Sequence, residues 1–188
     1  MPDYPTTSER HVVPDGPAPT KRELLAALAA SRDEVLALVR SMPPAQLEEG
    51  RYENGWNGRQ ILAHIASIEW TYPRLIDIAR DGGASVAAAP ASGELPTRSM
   101  RGGNDAYNER QVAKRARISV GDLLQEFERN RAATIRAVEA ADDALFARTI
   151  RSAGGVTGPL ALVFQRVAVE HVLGHARDIA GTGSGGTT

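Results

Sequence analysis

Leu160-Ala-Leu-Val-Phe-Gln-Arg-Val-Ala-Val-Glu-His171-Val-Leu-Gly-His175-Ala-Arg-Asp-Ile-Ala180 reads as one long helix near the end of the chain. Its apolar residues recur at helical spacing, and it holds two of the four histidines, His171 and His175. Residues i and i+4 lie one turn apart on the same helix face, so both imidazoles point into one space. Two neutral imidazoles at that spacing suit a divalent metal if a third ligand arrives from elsewhere. The same pair also fits the half-buried flank of an ordinary core helix.

Outward from this helix, the chain reads as more helices. Thr157, with Pro159 just inside the first turn, predicts the start of the closing helix, and Gly181 stands where a C′ glycine ends one. Before it, Ser119 with Asp122 opens a helix whose stripe is Leu123, Leu124, Phe127, Ile135 and Val138, ending at Asp142-Asp143. Asn104 caps a shorter helix through Arg117. Asn57, with Gln60 at the reciprocal position, opens a helix carrying Ile61, Ile65, Ile68, Tyr72, Leu75 and Ala79. Pro73 removes a backbone bond from it and predicts a kink. Thr20 and Glu23 form a capping box ahead of Leu24, Leu28, Val35, Val39 and Met42, with Leu25 and Leu36 widening the stripe until Pro43-Pro44 stops it.

No segment alternates convincingly as a strand, although residues 141–158 form a connection with an extended piece around Ala147 to Arg151. Four long amphipathic helices predict an all-α fold, an antiparallel four-helix bundle, as a single domain over residues 20–180. Residues 1–19, with Pro2, Pro5, Pro14, Pro17 and Pro19, read as an extended leader. Residues 82–103, rich in Gly, Ala, Ser and Pro, read as a flexible excursion, and 181–188 as a tail without reason for order.

A chain of 188 residues can bury a core without staples. A formal net charge of -1 gives no reason to expect nucleic acid or an anionic membrane as partner. The absence of cysteine excludes disulfides, thiolate ligands and a cysteine nucleophile. The first residues lack the basic and apolar regions of a signal peptide, and no apolar run approaches the roughly 20 residues of a membrane span. A cytoplasmic protein is expected. Lys21 and Lys114 are the only lysines, and with abundant alanine this arginine-heavy composition suggests a GC-rich bacterial genome.

His11 lies in the leader as a solvated histidine, which leaves His64, His171 and His175. Bundle metal sites are built from inward side chains on facing helices, and three imidazoles leave a position open for water or substrate. Glu170 is a spare carboxylate for catalysis, although it lies about 100° around the helix from His171. Asp178 reads equally as a partner for an imidazole N–H or as an exposed charge. Arg59, Arg74 and Arg166 could bind a substrate carboxylate or be surface cations. Trp56 and Tyr72 could line the mouth of a pocket or be core aromatics. Ser67, His64 and Asp77 supply a Ser-His-Asp set by inventory, with no nucleophile elbow around Ser67. The glycines at 81–83 and 153–155 lack the strand-to-helix setting of a dinucleotide fingerprint.

Trp56-Asn57-Gly58-Arg59-Gln60-Ile61-Leu62-Ala63-His64-Ile65-Ala66 resembles the start of the second helix in the DinB/YfiT-like superfamily. Glu170-His171-Val172-Leu173-Gly174-His175-Ala176-Arg177-Asp178-Ile179 resembles that superfamily's closing His-x3-His-Ala-x2-Ile helix. Asn104-Asp105-Ala106-Tyr107-Asn108 and the basic helix after it are similar to the branch related to the N-terminal domain of mycothiol-dependent maleylpyruvate isomerase. The resemblance implies a four-helix bundle with a long crossover, and zinc or nickel held by His64, His171 and His175. It further implies a homodimer and a small-molecule substrate, with thiol-dependent transferase or isomerase chemistry, or hydrolysis. Mycothiol or bacillithiol would be the thiol. Thr20-Lys21-Arg22-Glu23-Leu24-Leu25 is similar to the opening of the ClbS/DfsB-like branch, which implies the alternative of a non-catalytic protein that sequesters a small molecule or serves self-protection.

Overall fold

The computed structural model describes residues 16–50, 55–82 and 103–181. His11 and most of the expected leader, excursion and tail lie outside the described residues.

Helix α1 (Lys21–Ser41) starts on the expected box: the Thr20 hydroxyl accepts from Glu23 N, and the Glu23 carboxylate accepts from Thr20 N at 2.8 Å. Its buried face is Leu24, Leu28, Ser31, Val35, Leu36 and Val39. After the short α2 (Pro44–Leu47), α3 (Gly58–Ile68) opens on the reciprocal Asn57–Gln60 bonds. A Cβ at Gly58 would meet the Leu47 Cα and carbonyl oxygen at 3.3 Å, so glycine lets α2 close against the start of α3. The expected kink takes the form of a break. A 3-10 turn, Glu69–Thr71, separates α3 from α4 (Pro73–Arg80), with Pro73 at a first-turn position where a missing N–H is harmless.

Helix α5 (Gly103–Lys114) and α6 (Val120–Ala140) follow, then a 3-10 turn over Asp143–Ala147. The extended piece forms strand β1 (Thr149–Arg151), which pairs antiparallel with β2 (Thr157–Pro159). Thr157 and Pro159 therefore lie in a hairpin, and Pro159 also stands as the N-cap of the closing rod. The closing rod begins at Leu160, as α7 (Leu160–Phe164), a π turn (Gln165–Glu170) and α8 (His171–Ala180), and ends on Gly181 at φ 72°.

Helices α1 and α3 each pack against both α6 and α8. Lys21 bound to Asp143 and Arg40 beside Glu128 show that α1 and α6 run antiparallel. Tyr72 bonded to Val167 and His64 beside His175 show the same for α3 and α8. Helices α3 and α6 run parallel, since Asn130 donates to Ala66 O and Thr134 to Glu69 further along both. The long connection through α5 makes that parallel pair feasible.

Two apolar clusters fill the interior. One gathers Leu24, Leu28, Leu75, Phe146 and Phe164, the other Val35, Ile61, Ile65, Phe127 and Val172. Along α1, α6 and the α3–α4 segment, the polar residues Ser31, Glu69, Arg131 and Thr134 fall at the change from one cluster to the other. Arg131 and Glu69 are fully buried and lie 3.0 Å apart. Arg131 also donates to Ser31 Oγ at 3.2 Å, and Thr134 to Glu69 Oε1 at 3.1 Å. Such a pair adds little net stability over apolar residues, but losing one partner strands a charge in the core.

Candidate metal centre

His64 lies on the second turn of α3, fixed in rotation by the Asn57 cap and by Ile61 and Ile65, which are completely buried beside it. Its ring is 4 % exposed. His171 opens α8 and His175 follows one turn later, so α8 presents two imidazoles to the face of α3 that carries the third. One ring nitrogen from each of the three histidines lies within 4.8 Å of the others. Ring centroids are 4.9 Å apart for His64–His175 and 5.7 Å for His64–His171, with the rings nearly perpendicular in the first pair. His175 Nε2 and His171 Nε2 are 3.1 Å apart. Exposure rises from buried His64 through half-buried His175 to His171 at the surface, so the group is reached from the His171 side.

The electrostatics match a ligand set. Desolvation, and then the neighbouring His175 and His171, push the His64 pKa down to about 3. Desolvation followed by His175 and Arg166 lowers His171 to about 4, with Asp178 opposing. His175 is lowered by desolvation against the pull of Asp178, whose Oδ2 lies 3.4 Å from His175 Nδ1. All three rings are thus neutral at pH 7, the form that binds a metal. His64 Nδ1 is buried without a hydrogen-bond partner, a cost that a bound cation or its second-shell water would relieve. Borderline nitrogen donors on two facing helices fit zinc or nickel.

Trp56 stands against this group, its ring 5.3 Å from His64, and its Nε1 donates to Glu109 Oε1 of α5 at 2.9 Å. Glu109 thereby ties α5 to the wall of the site, a role that nothing in its local sequence announces. Other candidates are placed elsewhere. The Arg59 guanidinium is taken up by Glu48 and by the carbonyls of Arg115 and Ile118, so it clamps two connections. Tyr72 is buried and its hydroxyl donates to Val167 O at 2.6 Å. Glu170 is exposed and pairs with Arg166 at 2.8 Å. Arg74 lies over the exposed Trp70 ring. Ser67 donates to His64 O and Asp77 pairs with Arg80, so no Ser-His-Asp set is assembled.

The π turn is the other feature missed from the sequence. Phe164, Ala168, Val172 and Ala176 are all buried at intervals of four residues. At 100° per residue an unbroken α-helix would carry Ala176 about 120° past Phe164. The wider turn, in which His171 N–H donates to Arg166 O, absorbs most of that drift and keeps α8 facing α3. The unbroken run of four-residue intervals is the signal that could have revealed it.

A family model described as the DinB superfamily matches residues 27–179. The chain belongs to the DinB superfamily. Among solved structures, this DinB chain is similar to the crystal structure of the mycothiol-dependent maleylpyruvate isomerase. The TM-score is 0.65 at 20% identity, over 89% of this chain and 62% of that one. A histidine-to-alanine mutant of the mycothiol-dependent maleylpyruvate isomerase aligns with a TM-score of 0.59 at 17% identity, over 94% and 64%. At such identities the likeness is one of fold, and the DinB chain spans a little under two thirds of the length of each. No curated protein matches it.

Proposed function

We propose that His64, His171 and His175 hold one divalent ion, zinc or nickel, and that the protein is a metal-dependent enzyme acting on a small molecule. The observation that carries this reading is the convergence of three neutral imidazoles from two helices to within 4.8 Å. When bound, the ion supplies Lewis acidity toward a thiol or a water. The residues of the chain do the rest. His64, packed in the core, fixes the inner side of the site, Asp178 orients His175, and Trp56 walls it. The exposed edge of His171 leaves the approach for substrate. The resemblance in fold to a mycothiol-dependent isomerase supports a thiol-dependent transfer or isomerisation, with mycothiol or bacillithiol as co-substrate, ahead of hydrolysis.

The test is elemental analysis of untagged protein beside the His171→Ala variant, followed by turnover assays with each thiol. About one ion per chain, lost in the variant, is the expected result. Substoichiometric metal that the substitution leaves unchanged sinks the metal reading. Full metal occupancy with tight small-molecule binding but no turnover would move the protein to the sequestering class.

A further inference from the structure

We propose that Tyr72 is a positioning residue for the histidine site: its hydroxyl, bound to the π turn, sets the rotation of α8 and so the aim of His171 and His175. This rests on the metal reading above for its functional meaning, but its structural content stands on separate observations. The π turn is the least regular part of the closing rod, and π-type bonding is rare because it forgoes close axial packing. Something outside the rod has to favour it. Tyr72 Oη donates to Val167 O, within that turn, at 2.6 Å, one helical turn before His171.

Tyr72 is itself held. It follows the 3-10 turn Glu69–Thr71, its own N–H donates to Glu69 O at 3.3 Å, and Pro73 begins α4 directly after it. The Glu69 side chain that anchors this turn is fixed from α6 by Arg131 at 3.0 Å and Thr134 at 3.1 Å, and Arg131 reaches Ser31 of α1 at 3.2 Å. A buried polar strut therefore runs from α1 and α6 through Glu69 and Tyr72 to Val167. It ends on the segment whose extra residue decides where α8 faces. The phenol is 5 % exposed, and burial followed by the Glu69 carboxylate raises its pKa far above the usual value, so it stays a donor at any working pH. Partners bonded directly to metal ligands cost about 10- to 100-fold in affinity when removed; Tyr72 acts one helical turn away, through the backbone that carries the ligands.

Tyr72→Phe keeps the ring and deletes only the hydroxyl. In metal-free protein, amide exchange at Val167 to Val172 should speed up about tenfold, and the imidazole nitrogen resonances of His171 and His175 should shift while those of His64 hold. Titrated with nickel, the variant should bind at least tenfold more weakly than the parent. Ile150→Val, a core change outside the strut, serves as the control for general loosening and should leave all three readouts in place. If Tyr72→Phe matches the parent in exchange and resonances, or if Ile150→Val reproduces its effects, the positioning role is overturned. A parent that takes up no nickel overturns the metal reading instead, and the positioning role is then decided by exchange and resonances alone.

Discussion

His171 Nε2 and His175 Nε2 lie 3.1 Å apart across one turn of α8. Two imidazole lone pairs at that distance repel unless a proton or a cation stands between them. Around a tetrahedral zinc with bonds of about 2.0–2.1 Å, ligand nitrogens are separated by roughly 3.4 Å. The pair therefore stands close to ligand spacing.

Chelation should consequently cost stability. An ion at 100 times its Kd stabilises the folded chain by about 2.7 kcal/mol. For a chain of this size that corresponds to a fall in Tm of roughly 5–10 °C on metal removal. Differential scanning calorimetry before and after dialysis against a chelator measures it, and equal Tm values would contradict a bound structural or catalytic ion.

The metal-free protein should lose stability as pH falls. Unfolded His64 takes up a proton near its ordinary value of 6.5, whereas the folded ring resists until about 3. Between those limits the unfolded state binds more protons, so this contribution is fully present above pH 6.5 and declines below it, partly offset by Glu69, whose pKa is raised by burial and which acts in the opposite sense. Urea denaturation at pH 7 and pH 5 should show a lower midpoint at pH 5, and His64→Leu should flatten the slope.

Asp178→Asn should weaken nickel or zinc binding by about tenfold with little change in the stability of the metal-free protein. The carboxylate sits 3.4 Å from His175 Nδ1 and is partly exposed, so its work is to favour one tautomer and orientation of the ring rather than to hold the fold. Isothermal titration gives the affinity, and an unchanged Kd would return Asp178 to the status of a surface charge.

Glu69→Gln should destabilise the protein by about 3–5 kcal/mol, because Arg131 would be left charged in the core. Pairing it with Arg131→Met should recover part of that loss, since no unpaired charge is then left in the core. Denaturant midpoints of the two single variants and the double variant decide it. Additive losses would mean that the residues act independently despite their 3.0 Å separation.

Much of the helical fold was legible from local rules. The Thr20–Glu23 and Asn57–Gln60 boxes, the stripe of α1 and the terminal Gly181 each act within a turn or two of chain, and each helix formed around them. The cap of the closing helix was expected at Thr157 and stands at Pro159, because these residues are acceptable both as a helix opening and as an edge strand. Pairing with Thr149 and Arg151 settles it for the strand. The Pro73 break was half-visible, as a kink. What Tyr72 would do after the break was not, because the 3-10 turn that aims it is anchored from α6.

Local sequence carries most of the helices, much of their buried faces and the candidate ligands. With no cysteine and a single histidine in the leader, His64, His171 and His175 were the remaining imidazoles, and i to i+4 spacing put two of them on one face. The convergence of the three, the carbonyl contacts of Arg59 and Tyr72 and the meeting of Glu69 with Arg131 come from packing between distant segments. Helix propensity and capping are set by neighbours along the chain. Rotation of one helix against another is set by packing between segments far apart in it, and the π turn adjusts that rotation for α8.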